Sequence, residues 1–260
     1  MSTEAVVGIS RHGRVGVVTL NRPESLNAFN AAQRAQLQAA VAVVNADEEL
    51  DVVVLTGAGR AFSAGADLTE TKTEGFDVRV QIASEYKPTL MAISQAPKPW
   101  ISAVGGAAAG IGSAFAMVCD LTVMEQSAYL YQAFTAISLV PDGGATWQLV
   151  HAVGRKRAYE FIATGEKVTA QKCFELGLCN RVVADGEALQ QALLWAQELS
   201  EKAPLSLRYA KEAVNFACTA DLSDTIDKEA DLQHLCVNSE DAQEGVLAFM
   251  EKRAPKWQGR

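Results

Sequence analysis

The sequence predicts a mixed α/β fold, and three observations carry that prediction. Short apolar, β-branched runs alternate with helix-period segments over the first two thirds of the chain. Two loops made of Gly, Ala and Ser each join a buried strand to a helix, at 57–67 and at 105–113. Strand signals stop after Gly186, and only helical patterns follow.

Residues 6–10 and 15–20 predict a hairpin turning at His12–Gly13, and Asn21-Arg22-Pro23 ends its second strand. Residues 30–45 predict a helix with Leu37, Val41 and Val44 on one face and Asn30 as its cap. Residues 51–56 form a buried strand. The small-residue loop after it lets backbone approach a ligand, and Asp67 is placed to cap a helix beginning at Leu68. A tight strand-to-helix turn with no ligand accounts for that loop equally well.

Residues 69–75 are polar and carry no pattern; a helix over 76–95, interrupted near Pro88, follows. A second strand, 99–104, leads into the second Gly/Ala loop, then a short apolar helix over 114–118 and a strand from Asp120. The stretch 99–119 is long enough to cross a bilayer, but its glycines and alanines give it little hydrophobic drive. Residues 129–131 are extended. Helices over 145–151 and 155–163 are separated by Gly154, and a helix over 170–176 is capped by Thr169. A last strand spans 178–183, and helices cover 187–202, 204–218, 222–237 and 242–253. The switch to helices alone predicts a soft boundary: a core over 1–199 and a helical region over 200–260 whose excess apolar surface suits self-association.

Composition narrows the function. Its 260 residues are 49% hydrophobic, enough for one large core, and a net charge of −8 argues against a general nucleic-acid partner. The opening MSTEAVVGIS lacks the basic and apolar pattern of a signal sequence. Five Cys residues without a CxxC pair are expected to be reduced, so a cytoplasmic location is expected. Three widely spaced His residues show no metal-ligand spacing.

Four segments occur in an order that carries a resemblance: LNRPESLNAF (20–29), GRAFSAGADL (59–68), VGGAAAGIG running on to Cys119-Asp120 (104–120), and SLVPDGGATW (138–147). With the tail EGVLAFMEKR (244–253), they make the chain resemble the enoyl-CoA hydratase/isomerase family, the crotonases, over nearly its whole length. The resemblance implies a spiral of ββα turns with a C-terminal helical trimerisation region. It also implies an acyl-CoA thioester substrate and assembly as a homotrimer or a hexamer of paired trimers. No nucleic-acid or membrane partner is expected, and no cofactor, coenzyme A being part of the substrate.

The family's shared step is stabilisation of a thioester enolate by two backbone N–H groups. By motif position these belong to Ala66 and Ile111, and a helix starting at Ile111 would add its dipole. Hydratases of the family carry two Glu residues where this chain has Ala114 and Phe134, and neither of these moves a proton. Asp142 remains, where isomerases of the family carry a catalytic Asp. Apolar neighbours at Phe134, Ile137, Leu139 and Val140 would raise its basicity, whereas a role as helix cap would lower its pKa.

The resemblance therefore implies an isomerase shifting a double bond through Asp142. A hydratase, and a non-catalytic acyl-CoA-binding homologue, are the alternatives. Nucleophilic attack by Asp142 on an aryl thioester, as in some relatives, ranks behind them because no His lies near the expected pocket. Ala64, Asp67, Leu68, Gly110, Phe134 and Pro141 would line the substrate path. The resemblance implies that Phe249 and Lys252 reach the nucleotide, of their own or a neighbouring subunit, while Lys252 equally suits a solvated helix end. Arg22 is either a surface charge or a phosphate contact. Glu70, Glu74 and Glu85 are either lid carboxylates at the acyl pocket or solvated charges, and Trp257 with the basic tail fits ordinary surface.

Overall fold

The computed structural model describes residues 5–70 and 76–260. Glu74 therefore lies outside the described residues. Of the helix expected to begin at Leu68, residues 68 and 69 form a turn and Glu70 is 3-10 helical, and 71–75 lie outside the described residues.

A β-hairpin, β1 (Val7–His12) and β2 (Val15–Leu20), opens the chain as expected. Helix α1 (Ala31–Ala46) follows, with the Asn30 side chain accepting from Gln33 N at its start. Three successive passes then repeat one pattern. Strands β3 (Val52–Gly57) and β4 (Ala61–Ser63) lead to α2 (Val78–Gln81) and α3 (Lys87–Ser94). Strands β5 (Trp100–Val104) and β6 (Ala107–Ala109) lead to α4 (Ile111–Met117). Strands β7 (Leu121–Glu125) and β8 (Tyr129–Tyr131) lead to α5 (Ala145–Thr164). Each pass gives one strand to each of two sheets and then a helix, which is the ββα spiral. Strand β9 (Lys167–Thr169), helix α6 (Ala170–Glu175) and strand β10 (Arg181–Val183) close it.

The larger sheet runs β1-β2-β3-β5-β7-β10 and is parallel except for the opening hairpin. The smaller runs β4-β6-β8-β9, with only β8–β9 antiparallel. Parallel strands covered on both faces need apolar residues at every position. Here Val18, Leu20, Val53, Leu55, Trp100 and Met124 face the main core. Their neighbours Val15, Val17, Val52, Val54, Ile101 and Val123 face α7 (Ala188–Ser200). Ala188, Ala192 and Ala196 make the stripe that seats α7 on the sheet.

Three short strands escape the sequence reading. Strands β4 and β6 lie inside the Gly/Ala loops, and β9 is three residues long. Alanine has little β propensity, so these strands exist because their neighbours pair with them. Helix α4 starts at Ile111, three residues earlier than the pattern over 114–118 suggests. The interruption expected near Pro88 is a π-helical turn at Ile82–Tyr86, just before it. Pro88 sits comfortably in the first turn of α3. The predicted break at Gly154 is present, with φ 74° and ψ 163° inside α5.

Helices α8 (Pro204–Ala217), α9 (Leu222–Val237) and α10 (Glu240–Glu251) complete the chain. No residue of α8 is buried, and Leu222, Ile226, Phe249 and Met250 are exposed. Lys211 of α8 ties this region to the core through Asp120, at 2.8 Å, and the carbonyls of Ile93 and Lys98. Trp257 is not plain surface: it is partly buried, and its Nε1 donates to Glu201 O at 2.9 Å. Much of the basic tail is likewise engaged, Arg253 with Glu244 and Glu251, and Arg260 with Glu240. Among the described residues no helix is long and apolar enough to cross a membrane.

Candidate active site

Two loops meet where β4 pairs with β6. Asn27, fully buried, braces the first of them: its Nδ2 donates to Ala58 O and Ala61 O, and its Oδ1 accepts from Arg22 N. Ser63 Oγ donates to Asn27 O at 2.8 Å and accepts from Gly65 N at 3.1 Å. Phe29 N then donates to Gly65 O at 2.8 Å, and Asp67 N to Phe29 O at 3.1 Å. A trans peptide points its C=O and N–H in opposite directions. With Gly65 O held by Phe29, the N–H of Ala66 is turned the other way, and it has no hydrogen-bond partner among the described residues.

The second loop repeats this arrangement. Gly110 N donates to Tyr131 O at 2.9 Å, and Gly110 adopts φ 53°, ψ −131°, a conformation open to glycine. Gly110 O accepts from Ser113 N at 2.9 Å and from Ser113 Oγ at 2.7 Å. The N–H of Ile111, across the same peptide, is also without a partner among the described residues. The loops abut closely: a Cβ on Gly65 would lie 2.9 Å from Ala109 O.

Asp142 reaches the same region. Its turn rests on the start of α4, because a Cβ on Gly143 would collide with Ile111 Cδ1 and lie 3.1 Å from Ala114 Cβ. Asp142 Oδ1 is buried and accepts no hydrogen bond. Burial pushes this carboxyl up to about 6. The capping alternative fails, because the cap residue of α5 is Gly144 and no side chain bonds there. The expected apolar cluster is also corrected. Phe134 is buried, its ring edge 3.8 Å from the place of a Gly110 Cβ. Ile137, Leu139 and Val140 are exposed, so they do not enclose Asp142 within the single chain. Residues of α3 and α4 wall the turn instead, Leu90, Ile111 and Ala114.

Several other expectations change. Arg22 is neither a solvated charge nor an unoccupied cation. Its Nη1 donates to Ala28 O and to Asp67 Oδ2, the latter at 3.1 Å, and little of its side chain meets solvent. Asp67 also accepts from Thr69 N and Oγ1, and these bonds, with Arg22, hold its carboxyl below the usual range. Glu70 and Glu85 both clasp the buried Arg34, and Glu70 also accepts from Ala31 N at 2.7 Å. They brace the wall rather than offer loose carboxylates to a pocket. Ala64 and Leu68 are exposed beside the first loop, and Pro141 is half-buried ahead of Asp142. Phe249 is exposed and Lys252 forms the left-handed end of α10; no hydrogen bond or ion pair brings either to the Asp142 turn.

Sequence reasoning missed Tyr86. It is buried at the end of the π-helical turn, its ring edge-on to Phe29 and beside Phe115, and its hydroxyl has no hydrogen-bond partner among the described residues. Burial pushes the phenol up to about 12, with Arg34 opposing and Asp142 adding to the rise. An isolated Tyr in a helix-period segment gives no signal beyond core packing. Among the described residues no group of His, Cys, Asp or Glu could hold a metal ion.

A sequence model of the enoyl-CoA hydratase/isomerase family matches residues 10–260. The chain belongs to the enoyl-CoA hydratase/isomerase family. Among its family relatives, a 1,2-epoxyphenylacetyl-CoA isomerase of Escherichia coli is 36% identical over 258 residues, covering 97% of this chain and 98% of that protein. A probable enoyl-CoA hydratase of Rhodobacter capsulatus is 39% identical over 246 residues, covering 95% of each. The crystal structure of an enoyl-CoA hydratase from Polaromonas superposes with a TM-score of 0.93 at 33% identity, over 97% of this chain and 99% of that one. In this member of the family, the Asp142 turn packs against the second of the two amide loops through Gly143 and Ile111.

Proposed function

We propose that the chain is an enoyl-CoA isomerase that moves a double bond within an acyl-CoA thioester. The Asp142 carboxylate takes a proton from the carbon between the thioester side and the alkene. The electron pair delocalises onto the thioester oxygen, where the N–H groups of Ala66 and Ile111 donate to the developing charge. The protonated Asp142, whose carboxyl hydrogen exchanges with solvent, then delivers a proton to the far end of the dienolate, which neutralises the oxygen and leaves the double bond shifted. One carboxylate thus serves as base and then as acid.

The observation that carries this reading is the solitary state of Asp142: one oxygen is buried, it accepts no bond, and the pKa is poised at about 6. Ala114 and Phe134, where hydratases carry Glu, supply no carboxylate to activate water. A relative named as an isomerase agrees with this reading. Hydration is the second reading, favoured by the relatives named as hydratases, and would need Asp142 or a lid carboxylate to replace the missing pair of Glu residues. A non-catalytic acyl-CoA-binding protein is the third.

In the same proposal, Ala64, Asp67, Leu68, Gly110, Phe134 and Pro141 border the acyl-CoA, which brings the only coenzyme the reaction needs. Residues 200–260 form the assembly region of a cytoplasmic trimer or hexamer, with Phe249 and Lys252 lying against a neighbouring subunit's nucleotide. The exposed Leu222, Ile226, Phe249 and Met250 support assembly through these helices.

The test is mass spectrometry of 3-enoyl- and 2-enoyl-CoA incubated in heavy water with wild type and Asp142→Ala. Isomerisation moves the double bond and incorporates deuterium without adding water, and Asp142→Ala abolishes it. A product one water heavier identifies a hydratase, and neither change identifies the non-catalytic binder. An Asp142→Ala variant as fast as wild type rejects the site.

A further inference from the structure

The second amide loop carries two buried polar side chains that the reaction above leaves unused. Ser113 is fully buried, and its hydroxyl lies 2.7 Å from Gly110 O. Gln132, 1% exposed, places Nε2 2.9 Å from Ser113 Oγ. A carbonyl oxygen only accepts, so the single hydroxyl hydrogen of Ser113 goes to Gly110. Ser113 Oγ must then accept from the Gln132 amide. The direction of the chain is fixed: Gln132 gives to Ser113, and Ser113 gives to Gly110 O.

That carbonyl is conjugated with the N–H of Ile111. The peptide turns as one rigid plane, so pinning its oxygen pins the direction of its hydrogen. A hydrogen bond accepted at the oxygen also draws density from the nitrogen and makes its N–H a stronger donor. Glycine imposes little torsional restraint of its own, so the φ 53°, ψ −131° of Gly110 needs an outside hold. The first loop differs. There Gly65 O is held by a main-chain donor alone, Phe29 N, whereas Gly110 O takes the Ser113 hydroxyl in addition to Ser113 N.

We infer that Ser113 and Gln132 are positioning residues that aim and polarise the Ile111 N–H toward a thioester oxygen. The inference rests on the reading of the Ala66 and Ile111 amides as the thioester cradle, but not on which reaction follows. A structural reading competes with it, in which Ser113 merely secures the start of α4. Ser113 N already bonds Gly110 O at 2.9 Å, so the helix start keeps a tie without the hydroxyl.

The experiment uses hexanoyl-CoA labelled with carbon-13 at the thioester carbonyl, a saturated ligand that neither isomerises nor hydrates. Isotope-edited infrared spectroscopy reads how far its C=O stretch falls on binding to wild type, Ser113→Ala, Ser113→Thr and Gln132→Leu. Ser113→Ala and Gln132→Leu are expected to cut the downshift to about half, with Kd within about threefold and unchanged circular dichroism. Ser113→Thr, which keeps a hydroxyl, is expected to restore it. A full downshift in Ser113→Ala overturns the inference. If that variant fails to fold, a full downshift in a folded Gln132→Leu overturns it equally. No downshift in wild type overturns the inference together with the cradle. A wild-type downshift without any deuterium exchange on enoyl-CoA rejects the isomerase while leaving the positioning role intact.

Discussion

Gly143 lies so close to Ile111 that any Cβ at position 143 would overlap the Ile111 side chain. This contact sets the spacing between the turn that carries Asp142 and the helix start that carries the second unpartnered amide. Gly143 also adopts φ 58°, a left-handed conformation that costs a side-chain-bearing residue about 1 kcal/mol. Gly143→Ala is therefore expected to destabilise the fold by about 2–3 kcal/mol, strain and overlap together. It should also lower isomerase activity by more than about tenfold, because relieving the overlap moves either the Ile111 side chain or the Asp142 turn beside it. Denaturant unfolding and the enoyl-CoA assay check the two effects separately.

Asp142 gives a pH dependence of definite sign. Its folded pKa of about 6 stands above the ordinary value of 3.8, so the native state holds its proton after the unfolded chain has released it. Between about pH 4 and pH 6 the unfolded state binds fewer protons, and stability falls as pH rises. A shift of about two pKa units corresponds to about 3 kcal/mol of cost at neutral pH. Asp142→Asn is thus expected to stabilise the protein by up to that amount at about pH 8, and little at about pH 4, in urea titrations. Turnover needs the ionised base, so kcat/KM should rise with pH and level off above about 6.

Arg34 joins α1 to the lid side of the site by clasping Glu70 and Glu85, with the Tyr86 ring 5.6 Å from its guanidinium carbon. It also donates to Phe29 O at 2.9 Å. Arg34→Ala strips a cationic partner from two carboxylates and a donor from a carbonyl at once, Glu70 keeping Ala31 N. The side chains of Glu85 and Glu70 are 40% and 29% exposed, so the loss is smaller than for a fully buried pair, about 2 kcal/mol. Thermal unfolding should show a lower midpoint, with faster hydrogen exchange over 78–94.

Tyr86 is the reverse case. Its hydroxyl is buried and meets no hydrogen-bond partner within bonding geometry among the described residues, the Arg34 guanidinium standing near it, and such a group costs about 1–3 kcal/mol when nothing compensates. Tyr86→Phe keeps the ring contacts with Phe29 and Phe115 and removes the cost. It is expected to leave the melting temperature unchanged or higher in the ligand-free protein. A clear drop would mean that the hydroxyl has a partner.

The fold was legible wherever packing writes itself into side-chain type. The β-branched runs of β2 and β3 and the alanine stripe of α7 announce burial directly. Strands β4 and β6 were not legible, because alanine and glycine suit close backbone approach in any conformation. Asp142 stood out through the resemblance and through the absence of Glu at positions 114 and 134. Its setting did not: the sequence neighbours Leu139 and Val140 face solvent, and its walls come from residues about 30–50 positions earlier in the chain. Arg34 and Tyr86 could not be picked out, since their partners meet only when α1 and the π-helical turn dock. Ser113 and Gln132 were equally silent, 19 residues apart and joined only by the pairing of β6 with β8.

The hydrogens on the nitrogens of residues 66 and 111 belong to the main chain, and only proline takes such a hydrogen away. Mutational drift at either position therefore changes size and shape but leaves the atom that would meet the thioester. The walls have no such protection: one codon change at position 114 or 142 can add or delete a carboxylate. A lineage built this way can exchange one reaction for another by repainting the chamber while its grip on the carbonyl is inherited intact.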